Sequence, residues 1–576
     1  SRWQLFGAKP THEMGDLEYD QEHGALRLAW EDVSCLVFSE LPCLVDAPVS
    51  LEDLEQCTTT LRKLVGKHGS EDQRFRFFDS SHCRELRRAI APVAKRMQQR
   101  MYGGLQCSEY EAKKALRREA EGRKAQRRML DRNHVNKAAM RSGRLHRLAE
   151  LQRQGVHLPL VADGVAAASP ASERVPVVGE LHSPRSCYTC KRRFYVVHHF
   201  YSDLCQECAA LNWQKRNQGS DCKGKVALVT GGRVKIGFHV VLKLLRWGAQ
   251  VIVTTRFPRD CARRLAAQAD HEGENWSDRV DIYGLDFRDV AAVEGFCAFC
   301  SSRYHRLDIL INNACQTVRR PVGFYRHLLE VESGMEALSD EEHCMLQRFQ
   351  EWHLSSPQAL TTTLALSAGV SEARMPISMA PSATQSQVAL VAEDSTARFP
   401  SHVFDTNGQQ VDLRLRNTWV MRMEEIEAAE LAEVFLINAM APFILNSRLQ
   451  GLLAKAPEKE AKFIINVSAM EGKFYRTKAP YHPHTNMAKA ALNQLTRTVA
   501  GDLAKRCIYV CAVDTGWIND ENPLTKAREY SERHHFQCPL DEVDAAARIL
   551  DPVVVALSGG RPLYDVFLKD YRPTEW

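Results

Sequence analysis

The run from Lys225 to Pro258, KVALVTGGRVKIGFHVVLKLLRWGAQVIVTTRFP, constrains the fold more than any other part of the chain. An apolar strand, Val226–Thr230, enters a glycine-containing turn, an amphipathic helix follows, and a second apolar strand, QVIVTTR, comes after it. Strand, helix and strand in that order predict a βαβ unit, and so a doubly wound α/β fold with a parallel sheet. The turn places the helix N-terminus at the carboxyl end of the first strand, where unpaired backbone amides favour a pyrophosphate.

The chain has 576 residues, enough for three or four domains. At 44% hydrophobic and 26% charged residues it reads as globular. A net charge of +5 names no partner, so any basic signal must be local. Residues 1–105 mix alternating apolar stretches with an amphipathic segment, and a small α+β unit is expected there. Residues 106–160 are rich in Arg and Lys with Leu and Met at helical spacing, so a long basic helical segment is expected. Such a helix, over residues 111–155, suits either solvent or an acidic partner such as RNA in a ribonucleoprotein. Residues 161–184, rich in Ala, Ser and Pro, read as a linker.

Residues 185–220 hold two CxxC knuckles, Cys187–Cys190 and Cys205–Cys208, separated by fourteen residues. Zinc prefers four soft ligands in a tetrahedron, and paired knuckles supply them, so a closed, structural zinc site is expected. His198 and His199 lie between the knuckles and offer substitute ligands. Eighteen cysteines at scattered spacings predict a reducing intracellular compartment, cytoplasmic or mitochondrial, with no presequence visible. No run of eighteen apolar residues occurs, so no transmembrane segment is expected.

From Lys225 to about Lys569 the chain resembles the short-chain dehydrogenase/reductase superfamily. VTGGRVKIG resembles its glycine turn, YGLDFRD its adenine-contacting Asp strand, LDILINNAC its N-N-A-G motif, and VFLINAMAPFIL the helix bearing its structural-catalytic Asn. FIINVSAMEG resembles the strand that ends at its catalytic Ser, and HPHTNMAKAALNQ its Tyr-x-x-x-Lys helix. Zinc knuckles followed by such a degenerate fold also resemble a subgroup described only as short-chain oxidoreductases. The resemblance implies a Rossmann-type domain over residues 221–576, interrupted by an insertion at about 331–425. It implies NADP as cofactor, with Gly231, Arg233, Lys235, Gly237, Arg256, Asp286, Asn312 and Lys489 as its contacts. An Arg in the place of Arg256, just after the second strand, favours a 2′-phosphate over a free 2′-hydroxyl.

The departures bear on chemistry. Lys235 stands in a glycine slot, and Thr515 replaces the proline of the cofactor loop. The catalytic set implied by the resemblance is Asn438, Ser468, Thr485 and Lys489. Thr485 stands where the tyrosine belongs, and a threonine hydroxyl does not ionise near neutral pH. Ala469 occupies the serine position, with Ser468 one residue early and so on the opposite face of the strand. Tyr475, Tyr481, His482 and His484 precede or open the helix and are candidate substitutes. About 125 residues separate the Asn312 strand from the Asn438 helix, a length that suits a lid over the cleft or a partner-binding arm. Arg319 and Arg320 fall near the cleft, for an anionic substrate or for neighbouring carboxylates. Three readings follow: a non-redox scaffold or assembly subunit, possible within a ribonucleoprotein; an NADP-dependent oxidoreductase with a non-standard acid; or a dinucleotide sensor without turnover.

Overall fold

The computed structural model describes residues 84–102, 107–153, 179–334, 337–355, 381–386, 398–400, 410–474 and 477–576, with isolated positions between 50 and 81 and at 388 and 403. Most of the expected α+β unit, most of the linker and much of the insertion lie outside the described residues. The chain divides into two compact units, 1–122 and 123–576. The first contains helix α1, Arg84–Tyr102, and the start of α2, Cys107–Asn136. The second continues α2 and adds α3, Ala139–Arg153.

Alpha-helical structure over the basic segment follows its composition, since Gly and Pro are nearly absent. Residues 115–130 of α2 are exposed all round, so that stretch buries no face. The basic residues of α3 behave differently. Arg144 is buried and donates to the carbonyls of Cys538 and Leu540 at 2.6 and 2.8 Å, and Arg141 donates to that of His535 at 2.9 Å. These two arginines dock α3 onto the domain that follows. A hairpin of β1, Gly179–Ser186, and β2, Arg193–Val197, comes next, then helix α4, Gln206–Asn217. Strand β1 begins inside the stretch read as linker, because its Glu180–Val196 and Gly179–Val197 pairings close the hairpin.

The main sheet has eight strands among the described residues. In chain order they are β3 Val226–Thr230, β4 Gln250–Thr255, β5 Val280–Gly284, β6 Ile309–Asn312, β7 Lys462–Ser468, β8 Ile508–Asp514, β9 Phe567–Lys569 and β10 Arg572–Thr574. In space they run β10-β9-β8-β7-β6-β3-β4-β5, all parallel except β10. Alternation along each strand feeds two cores. Ala227, Val229, Val251 and Val253 face one, together with α5, Lys235–Arg246. Leu228, Ile252, Leu310, Ile464 and Val510 face the other. The order reverses between β3 and β6, and a crevice opens at such a switch, outside the carboxyl ends of the strands.

The N-terminus of helix α6, Pro258–Glu272, is capped from a distance. Glu332 Oε1 accepts from the amides of Arg259 and Asp260 at 2.9 and 3.1 Å. Burial pushes this carboxyl up to about 7 from 4.5. Between those values the folded protein keeps a proton that the unfolded chain has lost, so stability falls as pH rises through the window and levels off above it. Denaturant melts at pH 5 and 8 should show Glu332→Gln losing less stability on that rise than wild type, by up to about 3 kcal/mol. Equal losses in the two proteins would contradict the assignment.

The insertion contributes a helix, α8, Asp340–Ser355, which follows α7, Val290–Arg303. Met345 and Leu346 join the first core, Phe349 lies against Gly284, and Arg348 pairs with Asp281 at 2.6 Å. Its described start therefore covers the edge strand β5, which would otherwise present unpaired backbone groups.

Helix α9, Ala428–Arg448, is long and apolar enough by length and composition to cross a membrane, although the sequence holds no run of eighteen apolar residues. It holds the buried acids Glu430 and Glu433, which pair with His484 and with Arg288 and Arg319. One face, with Glu433 between two arginines and Glu430 beside His484, packs into the domain, while Leu431, Met440 and Phe443 are exposed.

Candidate functional site

A cleft of about 690 Å³ opens at the switch between β3 and β6. Its floor is the turn between β3 and α5. Gly231 has φ +68°, and a Cβ there would stand 3.0 Å from Ala314 Cα. A Cβ at Gly237 would collide with the Gly231 carbonyl oxygen and the Asn313 amide, so the helix approaches the strand at a point only glycine allows. Lys235 holds φ +52°, the left-handed conformation natural to glycine. The lysine thus keeps the backbone of the slot it occupies, at a cost of roughly 1–2 kcal/mol. Helix α5 starts at Lys235 without a side-chain cap, and Arg233, Val234, Lys235 and Gly237 line the cleft. A helix N-terminus without a side-chain cap and a lysine in its first turn suit a pyrophosphate.

Further along, Arg256 lines the cleft with its guanidinium 4.5 Å from the Tyr325 ring centre, and it donates to the Tyr325 hydroxyl at 2.7 Å. Arg233 pairs with Asp260 at 2.6 Å. Asp286 also lines the cleft, but its carboxylate is engaged by Arg288 at 2.8 Å. Burial alone would raise the Asp286 carboxyl; hydrogen bonds from Arg288 and the charge of Arg256 hold it below the ordinary range.

The catalytic positions are placed differently. Ala469 lines the cleft, whereas Ser468 is buried and donates to Asn493 Oδ1 at 2.6 Å. Helix α10, Pro483–Ala504, carries Thr485, whose hydroxyl is buried with no hydrogen-bond partner. Lys489 is buried too, and its ammonium donates to the Val467 carbonyl at 2.8 Å. Asn438 sits in a π-helical turn, Leu436–Met440, donating to the Gln316 carbonyl at 2.9 Å and accepting from its amide at 2.8 Å. Asn312 joins a buried amide cluster with Asn446 and Asn466, at 2.7 and 2.8 Å. None of Asn312, Asn438, Ser468, Thr485 and Lys489 is among the cleft-lining residues. Asn312 is one residue off: its neighbours Asn313, Ala314 and Cys315 line the cleft, since the strand pleat turns its own side chain inward.

The proposed substitutes for the tyrosine are also elsewhere. Tyr475 lies outside the described residues. His482 stacks on Trp419 at 3.9 Å and its Nδ1 meets the Trp419 carbonyl at 2.7 Å. His484 Nε2 lies 3.4 Å from Glu430. Neither histidine, nor Tyr481, lines the cleft. Arg319 pairs with Glu433 at 2.8 Å and Arg320 pairs with Asp412, so both meet neighbouring carboxylates.

The four knuckle cysteines converge. Their sulfur atoms lie within 4.8 Å of one another, and the cluster can hold a metal ion. Burial opposes ionisation of Cys190, yet hydrogen bonds from Arg192 bring its thiol down to about 6. His198 directs Nδ1 to the amides of Phe200 and Tyr201 at 3.1 and 3.4 Å, so it serves the loop rather than the cluster. The described cysteines are all free thiols.

Sequence reasoning overlooked several large residues of the cleft wall, among them Tyr188 from inside the first knuckle, Trp419 from the insertion, and Trp517 from the loop after β8. Of these, only Tyr188 had a local signal, an aromatic between two metal-spaced cysteines.

Residues 225–330 match the family model described as short chain dehydrogenase, and residues 415–558 the one described as enoyl-(acyl carrier protein) reductase. An uncharacterized protein of Acanthamoeba polyphaga mimivirus is 28% identical over 383 residues, 64% of this chain and 72% of its own length. Carbonyl reductase (NADPH) 1 of Sus scrofa is 40% identical over 90 residues, 16% of this chain and 30% of its own. Among solved structures, NADPH-bound carbonyl reductase from chicken fatty liver is 16% identical, covering 63% of this chain and 98% of its own, with a TM-score of 0.37.

Proposed function

We propose that this chain, which belongs to the short-chain dehydrogenase/reductase superfamily, binds NADP(H) in its cleft and serves as a non-redox scaffold. One observation carries the reading. Six of the eight residues expected to hold a dinucleotide, Gly231, Arg233, Lys235, Gly237, Arg256 and Asp286, wall the cleft, while Asn312 and Lys489 and the positions that would supply acid–base chemistry are buried outside its lining. Arg256, with Arg233 beside it, is suited to a 2′-phosphate; Lys235 and the first turn of α5 are suited to the pyrophosphate. NADPH in the name of the porcine carbonyl reductase agrees with that choice.

A bound nicotinamide would supply hydride chemistry, but the position that the family resemblance gives to a serine is held by Ala469, which lines the cleft without a hydroxyl. General acid catalysis needs a donor within about 2.6–3.2 Å or through one water, and Thr485 is sealed in the core. Calorimetry should show NADPH binding ahead of NADH, with Arg256→Ala erasing the preference, and no NADPH oxidation with a panel of carbonyls. Turnover that Lys489→Ala abolishes would favour the alternative, an oxidoreductase with a non-standard acid. Binding of neither cofactor would leave a scaffold without a nucleotide.

The partner of such a scaffold is proposed from helix α2. A stretch exposed all round, with Arg117, Arg118, Arg127 and Arg128 on it, buries nothing that would explain its length. We assign it to an RNA backbone, within a ribonucleoprotein. Affinity for a generic duplex RNA should fall steeply between 50 and 200 mM salt, by roughly 0.7–0.9 log units per log unit of salt for each phosphate neutralised. Alanine at the four arginines should flatten that slope; absence of any gel shift at low salt would argue against RNA.

A further inference from the structure

Tyr188 belongs both to the cysteine knuckle and to the wall of the cleft. Tyr188 follows the first cysteine of the knuckle, and the knuckle turn is closed by the Cys187 amide to the Arg192 carbonyl at 2.9 Å and the Lys191 amide to the Cys187 carbonyl at 3.0 Å. Lys191 pays for that closure with φ +64°, a conformation that a β-carbon disfavours. The Tyr188 amide donates to the Asp203 carbonyl at 2.8 Å, which ties the first knuckle to the segment entering the second. From this anchored backbone the Tyr188 hydroxyl reaches the loop after β8 and accepts from the Trp517 amide at 2.9 Å.

That loop is a wall of the cleft: Asp514, Thr515, Gly516 and Trp517 line it, and so does Tyr188 itself. The approach is close. Gly516 has φ +81°, and a Cβ there would lie 2.6 Å from Leu540 Cδ1 and 3.6 Å from the Tyr188 hydroxyl. Ile518, next along the loop, is buried in the same apolar cluster as Cys187 and Cys205. The family resemblance places a proline where Thr515 stands, so the loop here lacks that residue's fixed φ and takes its order from outside contacts.

We propose that Tyr188 is a positioning residue of the dinucleotide cleft, through which metal occupancy of the Cys187–Cys190–Cys205–Cys208 cluster sets the order of the loop from Asp514 to Asn519 and hence the affinity for NADP(H). Loading the cluster fixes the strained knuckle turn, the turn fixes the phenol, and the phenol holds the Trp517 amide. Loss of the metal, by chelation or by oxidation of the thiols, releases the loop and weakens nucleotide binding without touching any residue that contacts the phosphates.

The proposal rests on the dinucleotide reading above, and its test separates the two. Tyr188→Phe keeps the ring and removes only the hydroxyl acceptor. In metal-loaded full-length protein it should retain one metal per chain, raise the NADPH dissociation constant about 3- to 10-fold, and speed amide exchange at Trp517. Wild type stripped with a chelator should show the same faster exchange and weaker binding, reversed by added zinc. Unchanged exchange at Trp517 in both the variant and the stripped protein would overturn the coupling. Should loaded wild type bind neither NADPH nor NADH, the dinucleotide reading fails alone. The exchange measurement, made without nucleotide, then still decides whether the cluster orders the loop.

Discussion

Chelating the metal from Cys187, Cys190, Cys205 and Cys208, or replacing any one of them by serine, is expected to melt the knuckle hairpin and lower the thermal midpoint by more than about 10 °C. Zinc is the expected metal, because four soft thiolates in a tetrahedron leave no open position and match its preference. Beyond the cluster, the hairpin is held by the Asp131 carboxylate, which accepts from the His182 and Ser183 amides at 2.6 and 3.1 Å, and by Leu181 and Val197 against Val135 and Ala138. Among the described residues, strands β1 and β2 pair with each other alone, and the register is interrupted between Glu180 and Arg185. Phe194 of the hairpin, with Phe200 and Leu204 of the segment after it, is packed in one cluster with Cys187 and Cys205. A structural zinc of this type contributes on the order of 10–16 kcal/mol in isolated fingers. Here the contacts to Ile518, Leu540 and Ala545 offset part of the loss, so the parallel sheet should remain folded when the hairpin opens. Metal analysis of freshly purified protein, paired with melts with and without chelator, reads both quantities. Less than one zinc per chain, or a midpoint indifferent to chelation, would remove the site.

The βαβ run at Lys225–Pro258 was legible because everything it needs is local: an apolar strand, a turn that tolerates positive φ, and a helix of the right period. The inward turn of Ser468 was legible for a similar reason, since a one-residue shift on a strand changes face. What escaped was set by distant partners. Nothing near Asp340 announces that its helix will close the β5 edge, and nothing in the basic segment separates Arg144, buried on the carbonyls of Cys538 and Leu540, from the exposed Arg127. Arginine composition reports charge, not which guanidinium finds a carbonyl nearly four hundred residues away. The cleft suffers from the same limit. Asp286 and Arg256 could be placed at it by motif, but their engagement by Arg288 and Tyr325 depends on side chains that converge only in the fold.

The junction between the knuckle module and the sheet domain carries the second large effect. Arg216, at the end of α4, is buried and meets Asp541 at 2.5 Å and Asp544 at 3.1 Å. Those two acids form the capping box of helix α11, Glu542–Leu557, and the Tyr201 hydroxyl donates to Asp544 at 2.6 Å. Burial alone would raise the Asp541 carboxyl, but the Arg216 guanidinium overrides it and holds it well below 3.8. Asp544 is raised, by burial and then by the Asp541 charge. Arg216→Met keeps much of the volume and removes the charge, leaving two buried carboxylates close together. Breaking one side of such a pair costs about 3–5 kcal/mol. The sign of the pH dependence follows. In wild type the depressed Asp541 contributes stability that is present above 3.8 and lost as pH falls through its lower folded value. In the variant the same carboxyl loses its cation, and burial makes it hold a proton that the unfolded chain has released. The variant therefore weakens as pH rises above 3.8, and its deficit against wild type should widen between pH 4 and 7. Adding Asp541→Asn to Arg216→Met should recover part of the loss at pH 7 and flatten that trend. Denaturant melts placing Arg216→Met within about 1 kcal/mol of wild type at pH 7 would mean that water or Arg144 already compensates the acids.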